Sequence, residues 1–143
     1  MINYEFNEFK KDVKELAKKI KKFNPDSLIL ISRGGLTLGH FLAQELDLRD
    51  IFTINAISYE NSKKLNKIEI FNIPNLTKYK KAVLIDDISD SGETLYEIKK
   101  LLTKKYPNLN IKTATIFYKK NSKVIPDFTL KEAKEWIKFF WEN

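Results

Sequence analysis

Ala82-Val83-Leu84-Ile85-Asp86-Asp87-Ile88-Ser89-Asp90-Ser91-Gly92-Glu93-Thr94-Leu95 joins an apolar strand to a helix through a loop rich in carboxylates. Four apolar residues in a row suit a strand covered on both faces, as in a parallel sheet, and the two aspartates close it at its carboxyl end. Open α/β sheets bind ligands at that edge. Because side chains alternate along a strand, Asp86 and Asp87 are expected to diverge and serve two parts of one ligand rather than share a proton. Asp90 stands apart from the pair and is free for acid-base work. From Asp90 to Thr94 every residue is small, polar or acidic, and Gly92 permits close approach. Backbone N–H groups can therefore point inward ahead of the helix, which makes a nest for a phosphate.

Working outward, Phe6, Phe9, Val13, Leu16, Ala17 and Ile20 recur at three- and four-residue steps and predict an amphipathic helix that ends near Asn24-Pro25. Ser27 to Ser32 reads as a buried strand, Leu36 to Leu46 as a helix and Ile51 to Tyr59 as a second strand. Glu60 to Lys67 is polar and without periodicity, a loop expected to be mobile. A strand with alternation at Ile68 and Ile70 follows, extending over Phe71 to Ile73. The helix after the motif runs to about Tyr106. Ile111 to Tyr118 reads as one strand, Val124 to Phe128 as a short one, and the tail is aromatic. Alternating strands and helices predict an α/β fold with a mostly parallel sheet and right-handed crossovers.

The 143 residues, 43% of them hydrophobic and 13% aromatic, suffice for a single domain with a real core, and no repeat or linker divides them. With no cysteine, disulfides and thiolate metal sites are excluded. No apolar run approaches the ~18 residues of a membrane helix and the N-terminus lacks a signal-peptide h-region, so a cytoplasmic location with no membrane partner is expected. The net charge of +7 comes from lysines scattered as pairs, such as Lys18-Lys19, Lys80-Lys81 and Lys104-Lys105, without interleaved aromatics. That pattern describes solvated surface and not a nucleic-acid platform. Lone His40 reads as structural.

Arg33 and Arg49 are the chain's only arginines. The first lies in Ile31-Ser32-Arg33-Gly34-Gly35-Leu36, after a strand and at a helix start, a second anion nest with a guanidinium attached.

Together these motifs resemble those of the type I phosphoribosyltransferases. Two acidic residues after an apolar strand, then Asp90-Ser91-Gly92-Glu93-Thr94, match that family's motif for 5-phosphoribosyl-1-pyrophosphate (PRPP). Ser32-Arg33-Gly34-Gly35-Leu36 resembles the pyrophosphate loop of its bacterial xanthine-guanine branch. The likeness continues through Leu42-Ala43-Gln44-Glu45-Leu46, Ile57-Ser58-Tyr59, Thr115-Ile116-Phe117-Tyr118-Lys119 and Trp136-Ile137.

The resemblance implies the family's sheet with a small hood from the C-terminal tail, and transfer of the phosphoribosyl group to a 6-oxopurine in purine salvage. It implies Mg²⁺ held by Asp86 and Asp87, a 5′-phosphate cradled by Ser89 to Thr94, and pyrophosphate gripped by Ser32, Arg33, Gly34 and Gly35. A non-proline cis peptide is implied in that last loop, tolerated by Gly34 and Gly35. Asp90 is the implied acid-base residue. Lys119 is the implied donor to the purine 6-oxo group, Trp136 with Ile137 the base-stacking segment, and Ser58-Tyr59 the start of a closing loop. A homodimer or homotetramer is implied. A non-catalytic regulator sensing PRPP or nucleotides on the same fold is the alternative. Two departures stand out: Phe140 replaces the family's usual proline before Trp141-Glu142, and Glu93 adds a negative charge beside the phosphate nest.

Overall fold

The computed structural model describes residues 1–59 and 67–142. Its elements in chain order are β1 (Ile2–Tyr4), α1 (Phe6–Lys21), β2 (Ser27–Ser32), α2 (Leu36–Leu46), β3 (Ile51–Tyr59), β4 (Lys67–Phe71), β5 (Lys81–Ile85), β6 (Ile88–Ser89), α3 (Glu93–Lys105), β7 (Asn110–Ala114), β8 (Phe117–Tyr118), β9 (Lys131–Glu132) and β10 (Ile137–Phe139). The main sheet has the order β4-β3-β2-β5-β7, parallel throughout except for β4, which runs antiparallel to β3 at one edge.

Consecutive residues of the central strands feed two different cores, which is why β2 and β5 carry no polar alternation. Leu28, Leu30, Val83 and Ile85 face a layer built on Phe9, Leu16 and Ile20 of α1 with Leu38 and Leu42 of α2. Ile29, Ile31, Ala82 and Leu84 face Leu95, Ile98 and Leu102 of α3. Helices on both faces leave the carboxyl ends of β2 and β5 as the open edge, the one from which both motif loops emerge.

Two expected strands take a different form. Ile111 to Tyr118 is broken into β7 and β8, because Thr115 turns its hydroxyl onto the Phe117 carbonyl at 2.7 Å and the chain leaves the main sheet. Phe117-Tyr118 then pairs with Ile88-Ser89. Val124 to Phe128 forms only a single bridge, Ala114 to Phe128. Pro126 lacks an N–H, and the Asp127 carboxylate takes the Thr113 N–H at 2.8 Å in place of a backbone partner. The tail forms the hood with the N-terminus rather than alone: β10 pairs in parallel with β1, Ile2 opposite Ile137 and Tyr4 opposite Phe139. A second small sheet, β6-β8-β9, lies alongside.

Candidate active site

The loop after β5 ends at Gly92, whose φ of 83° and ψ of 0° place it in the left-handed region as the cap of α3. A side chain there would be strained and would meet the Ser122 hydroxyl at 2.5 Å and the Val124 nitrogen at 2.6 Å. The first turn of α3 has no side-chain cap. Glu93 N–H turns to the Ser91 hydroxyl at 3.3 Å, while the Thr94 and Leu95 N–H groups have no partner among the described residues. Those two donors face a crevice also lined by Asp86, Ser89, Asp90 and Ser91, an anion site in the sense expected of a helix N-terminus. Glu93 pairs with Lys123 at 3.5 Å, which offsets its charge. Ser89 is buried, and its hydroxyl is engaged by Val124 and Ser122, each at 2.7 Å, so it anchors the loop from behind.

Asp86 and Asp87 do not diverge as strand alternation predicts. β5 stops at Ile85 and the backbone turns, with the Asp86 carboxylate accepting the Asp87 N–H at 2.9 Å and that of Asp87 accepting the Ile88 N–H at 2.8 Å. Both carboxylates converge over Gly34, where a Cβ would lie 2.6 Å from Asp86 Oδ1 and 2.9 Å from Asp87 Oδ1. Burial pushes both carboxyls above the ordinary aspartate range, Asp86 the further because repulsion from Asp87 adds to it. Gly35 packs still more closely, against the Ile85 carbonyl. The two glycines thus let the arginine loop lie directly on the carboxylate pair.

Two crowded, oxygen-only carboxylates fit a hard divalent cation, which would relieve their repulsion. Among the described residues no third acidic or histidine group completes a cage. Mg²⁺ is commonly held by one or two carboxylates, with water and substrate oxygens as its other ligands.

The cis peptide lies at Ser32-Arg33, ahead of the glycines rather than at them. Arg33 is exposed and lines a second crevice with Gly34, Thr37, Asp87, Trp141 and Glu142. Thr37, Trp141 and Glu142 were not singled out from the sequence as site residues. Trp141 stacks on Phe139 at 4.7 Å and 15°, and Phe140 packs edgewise on Phe6 and Phe9, so an aromatic cluster fixes the tail where the proline is missing.

A third crevice, of about 90 Å³, adjoins these between loop and hood, with Asp90 and Lys119 on one side and Trp136, Ile137 and Phe139 on the other. Lys119 Nζ lies 2.7 Å from Asp90 Oδ1. Trp136 is 67% exposed, so its indole is available to a ligand and is not core. Ile137 is buried within β10 and contributes to the floor.

Tyr4 holds the hood from beneath: its ring packs edgewise on Phe117 and Phe139, and its hydroxyl donates to Asp12 of α1. Lys131 of β9 reaches the same Asp12 carboxylate at 2.9 Å. Burial alone would lower the Lys131 pKa, but its hydrogen bonds to Asp12 and Glu8 raise it. Burial and the Asp12 carboxylate likewise hold the Tyr4 hydroxyl protonated, well above the ordinary tyrosine range.

Ser58 and Tyr59 sit exposed at the end of β3, where the Tyr59 hydroxyl donates to Glu69, and neither lines the three crevices. Of the loop expected at Glu60 to Lys67, residues 60–66 lie outside the described residues and Lys67 begins β4. His40 is exposed on α2 against Phe41 and takes no part in these crevices.

Known proteins share this arrangement. A family model for the phosphoribosyl transferase domain matches residues 4–143. The xanthine-guanine phosphoribosyltransferase of Cereibacter sphaeroides is 26% identical over 147 residues, spanning 96% of this chain and 84% of the relative. The solved xanthine-guanine-hypoxanthine phosphoribosyltransferase of Helicobacter pylori superposes with a TM-score of 0.92 at 40% identity, over 99% of this chain and 93% of that one. A purine phosphoribosyltransferase from Pyrococcus horikoshii gives 0.86 at 29% identity, over 99% and 94%. With a family model matched over nearly its whole length and relatives aligned end to end, this protein belongs to the phosphoribosyltransferase family, on its purine branch.

Proposed function

We propose that the enzyme transfers the 5-phosphoribosyl group of PRPP to a 6-oxopurine (guanine, xanthine or hypoxanthine), releasing pyrophosphate, in purine salvage. The observation that carries this reading is the 2.7 Å pairing of Asp90 with Lys119 at the boundary between the phosphate crevice and the crevice beneath Trp136. A cationic donor beside a carboxylate acceptor complements a purine edge that offers an oxo oxygen and an adjacent ring N–H.

In the reaction, N9 of the base bonds to ribose C1 while the bond from C1 to the pyrophosphate oxygen breaks and the ring N–H proton leaves. When purine O6 takes over Lys119, Asp90 loses its ion-pair partner and is free to hold N7 or accept that proton. Arg33 with the Gly34-Gly35 backbone grips the pyrophosphate, and Thr94 and Leu95 N–H groups with Ser91 hold the 5′-phosphate. Asp86 and Asp87 orient the ribose hydroxyls and hold Mg²⁺, which supplies neutralisation of the leaving group. Trp136 offers its π-face to the base. With little covalent chemistry at the protein, the rate rests on positioning and electrostatics around an oxocarbenium-like C1. We place the enzyme in the cytoplasm as a homodimer or homotetramer.

Pyrophosphate release from PRPP and Mg²⁺ with a panel of guanine, xanthine, hypoxanthine, adenine and pyrimidine bases tests the proposal. Turnover with one or more 6-oxopurines and little with adenine is expected. Binding of PRPP without release on any base would favour a sensor instead.

A further inference from the structure

One short piece of chain, Lys119 to Val124, touches both the phosphate loop and the base crevice. Lys119 to Ser122 form a turn closed by the Ser122 N–H on the Lys119 carbonyl at 3.0 Å, and Lys123 and Val124 follow. One end carries the Lys119 ammonium into the base crevice. The backbone at both ends lies on the phosphate loop: Lys119 N–H donates to the Ser89 carbonyl at 2.9 Å, and Lys123 N–H donates to the Ser91 carbonyl at 2.8 Å. Ser122 and Ser89 hydroxyls meet at 2.7 Å, and both reach the Val124 carbonyl, at 2.9 and 2.7 Å. Gly92, the helix cap that presents the phosphate donors, has no room for a side chain because Ser122 and Val124 press against it. Ser89 is buried, so water does not compete for these bonds.

We propose that Ser122 is a positioning residue that couples the two half-sites, so that phosphate bound at Ser91 to Leu95 tightens the site for the 6-oxopurine through Lys119. This rests on the substrates assigned above. Fixing the loop from Ser89 to Gly92 removes freedom from the turn at three points, and the base then pays less to order Lys119. Such a saving is positive cooperativity and is necessarily reciprocal.

The test is calorimetry with 9-deazaguanine, a base analogue that lacks the reacting nitrogen, with and without saturating PRPP and Mg²⁺. In the native protein PRPP should tighten 9-deazaguanine by about tenfold or more. In Ser122→Ala that factor should fall by at least about threefold, while each ligand alone binds within about twofold of native. The double-mutant cycle with Ser89→Ala should show the two losses to be non-additive, as expected of one hydrogen-bonded unit. An unchanged coupling factor in Ser122→Ala overturns the proposal. So does absence of coupling in the native protein, or loss of both single affinities with the factor intact, which marks a purely structural serine. If PRPP binds but neither 9-deazaguanine nor guanine does, the substrate assignment itself has failed.

Discussion

Residues 82–95 and the hood carry the two halves of one site and are held together by different means. The phosphate side is contiguous: strand, carboxylates, nest and helix follow one another in fourteen positions, and the sheet beneath them is dry on both faces. The hood is gathered from β1, β8, β9 and β10, and its fixed points are edge-to-face aromatic rings and the buried Tyr4-Asp12 pair joined by the half-buried Lys131. A contiguous half is rigid because the chain itself dictates it, while a gathered half is only as well placed as its contacts. Substitutions on the two sides should therefore fail differently.

The largest effect is expected at the seam between them. Asp90→Asn should lower kcat by about 10²–10⁴-fold with PRPP affinity changed far less, as steady-state kinetics and a PRPP titration will show. Unchanged turnover would remove Asp90 from the chemistry. On the hood side, Lys119→Met keeps length and deletes the donor. It should cost about 1.5–3 kcal/mol of kcat/KM for guanine or hypoxanthine and improve the relative standing of adenine. An unaltered ranking of purines would make Lys119 a surface lysine.

On the phosphate side, Gly35→Ala drives a methyl into the Ile85 carbonyl, which the sheet cannot move. A loss of about 1–3 kcal/mol in stability is expected by chemical denaturation, and a native-like midpoint would show the loop to be looser than described. Smallest should be Tyr4→Phe, which keeps the ring but frees the Asp12 carboxylate of one donor. About 0.5–1.5 kcal/mol of stability should be lost, with KM rising for purine and not for PRPP. Equal KM shifts for both would erase the distinction between the halves.

The same division explains what could be read from the sequence. β2, α2 and β3 have the bounds expected at Ser27 to Ser32, Leu36 to Leu46 and Ile51 to Tyr59; in β2, burial on two faces writes itself as an unbroken apolar run, while glycines ahead of α2 and polar residues after it mark the helix. The loops after β2 and β5 could be located in the sequence because each is local, following a strand and opening a helix. β1 was missed since three residues with one buried side chain carry no periodic signal. Trp141 and Glu142 reach the site only through an aromatic cluster that no spacing encodes. The Asp86-Asp87 geometry was misjudged because alternation was extended one residue past the end of the strand. Ser122 gave no signal at all, lying in a turn whose importance comes from what packs on Gly92.

The pairing of Ile2 with Ile137 joins positions almost the whole chain apart. The entropy of closing so long a loop grows only slowly with its length, but it must be overcome before the hood gains any contact. During refolding the sheet edge carrying the loop after β5, whose strand partners are closer in sequence than Ile2 and Ile137, should mature first and the crevice under the hood last. Both tryptophans, Trp136 and Trp141, belong to that late half, so indole fluorescence in a stopped-flow experiment follows the arrival of the hood alone. A chain that has regained the nest after β5 but not its tryptophan signal would be a folding intermediate with a place for a phosphate and no hood for a base.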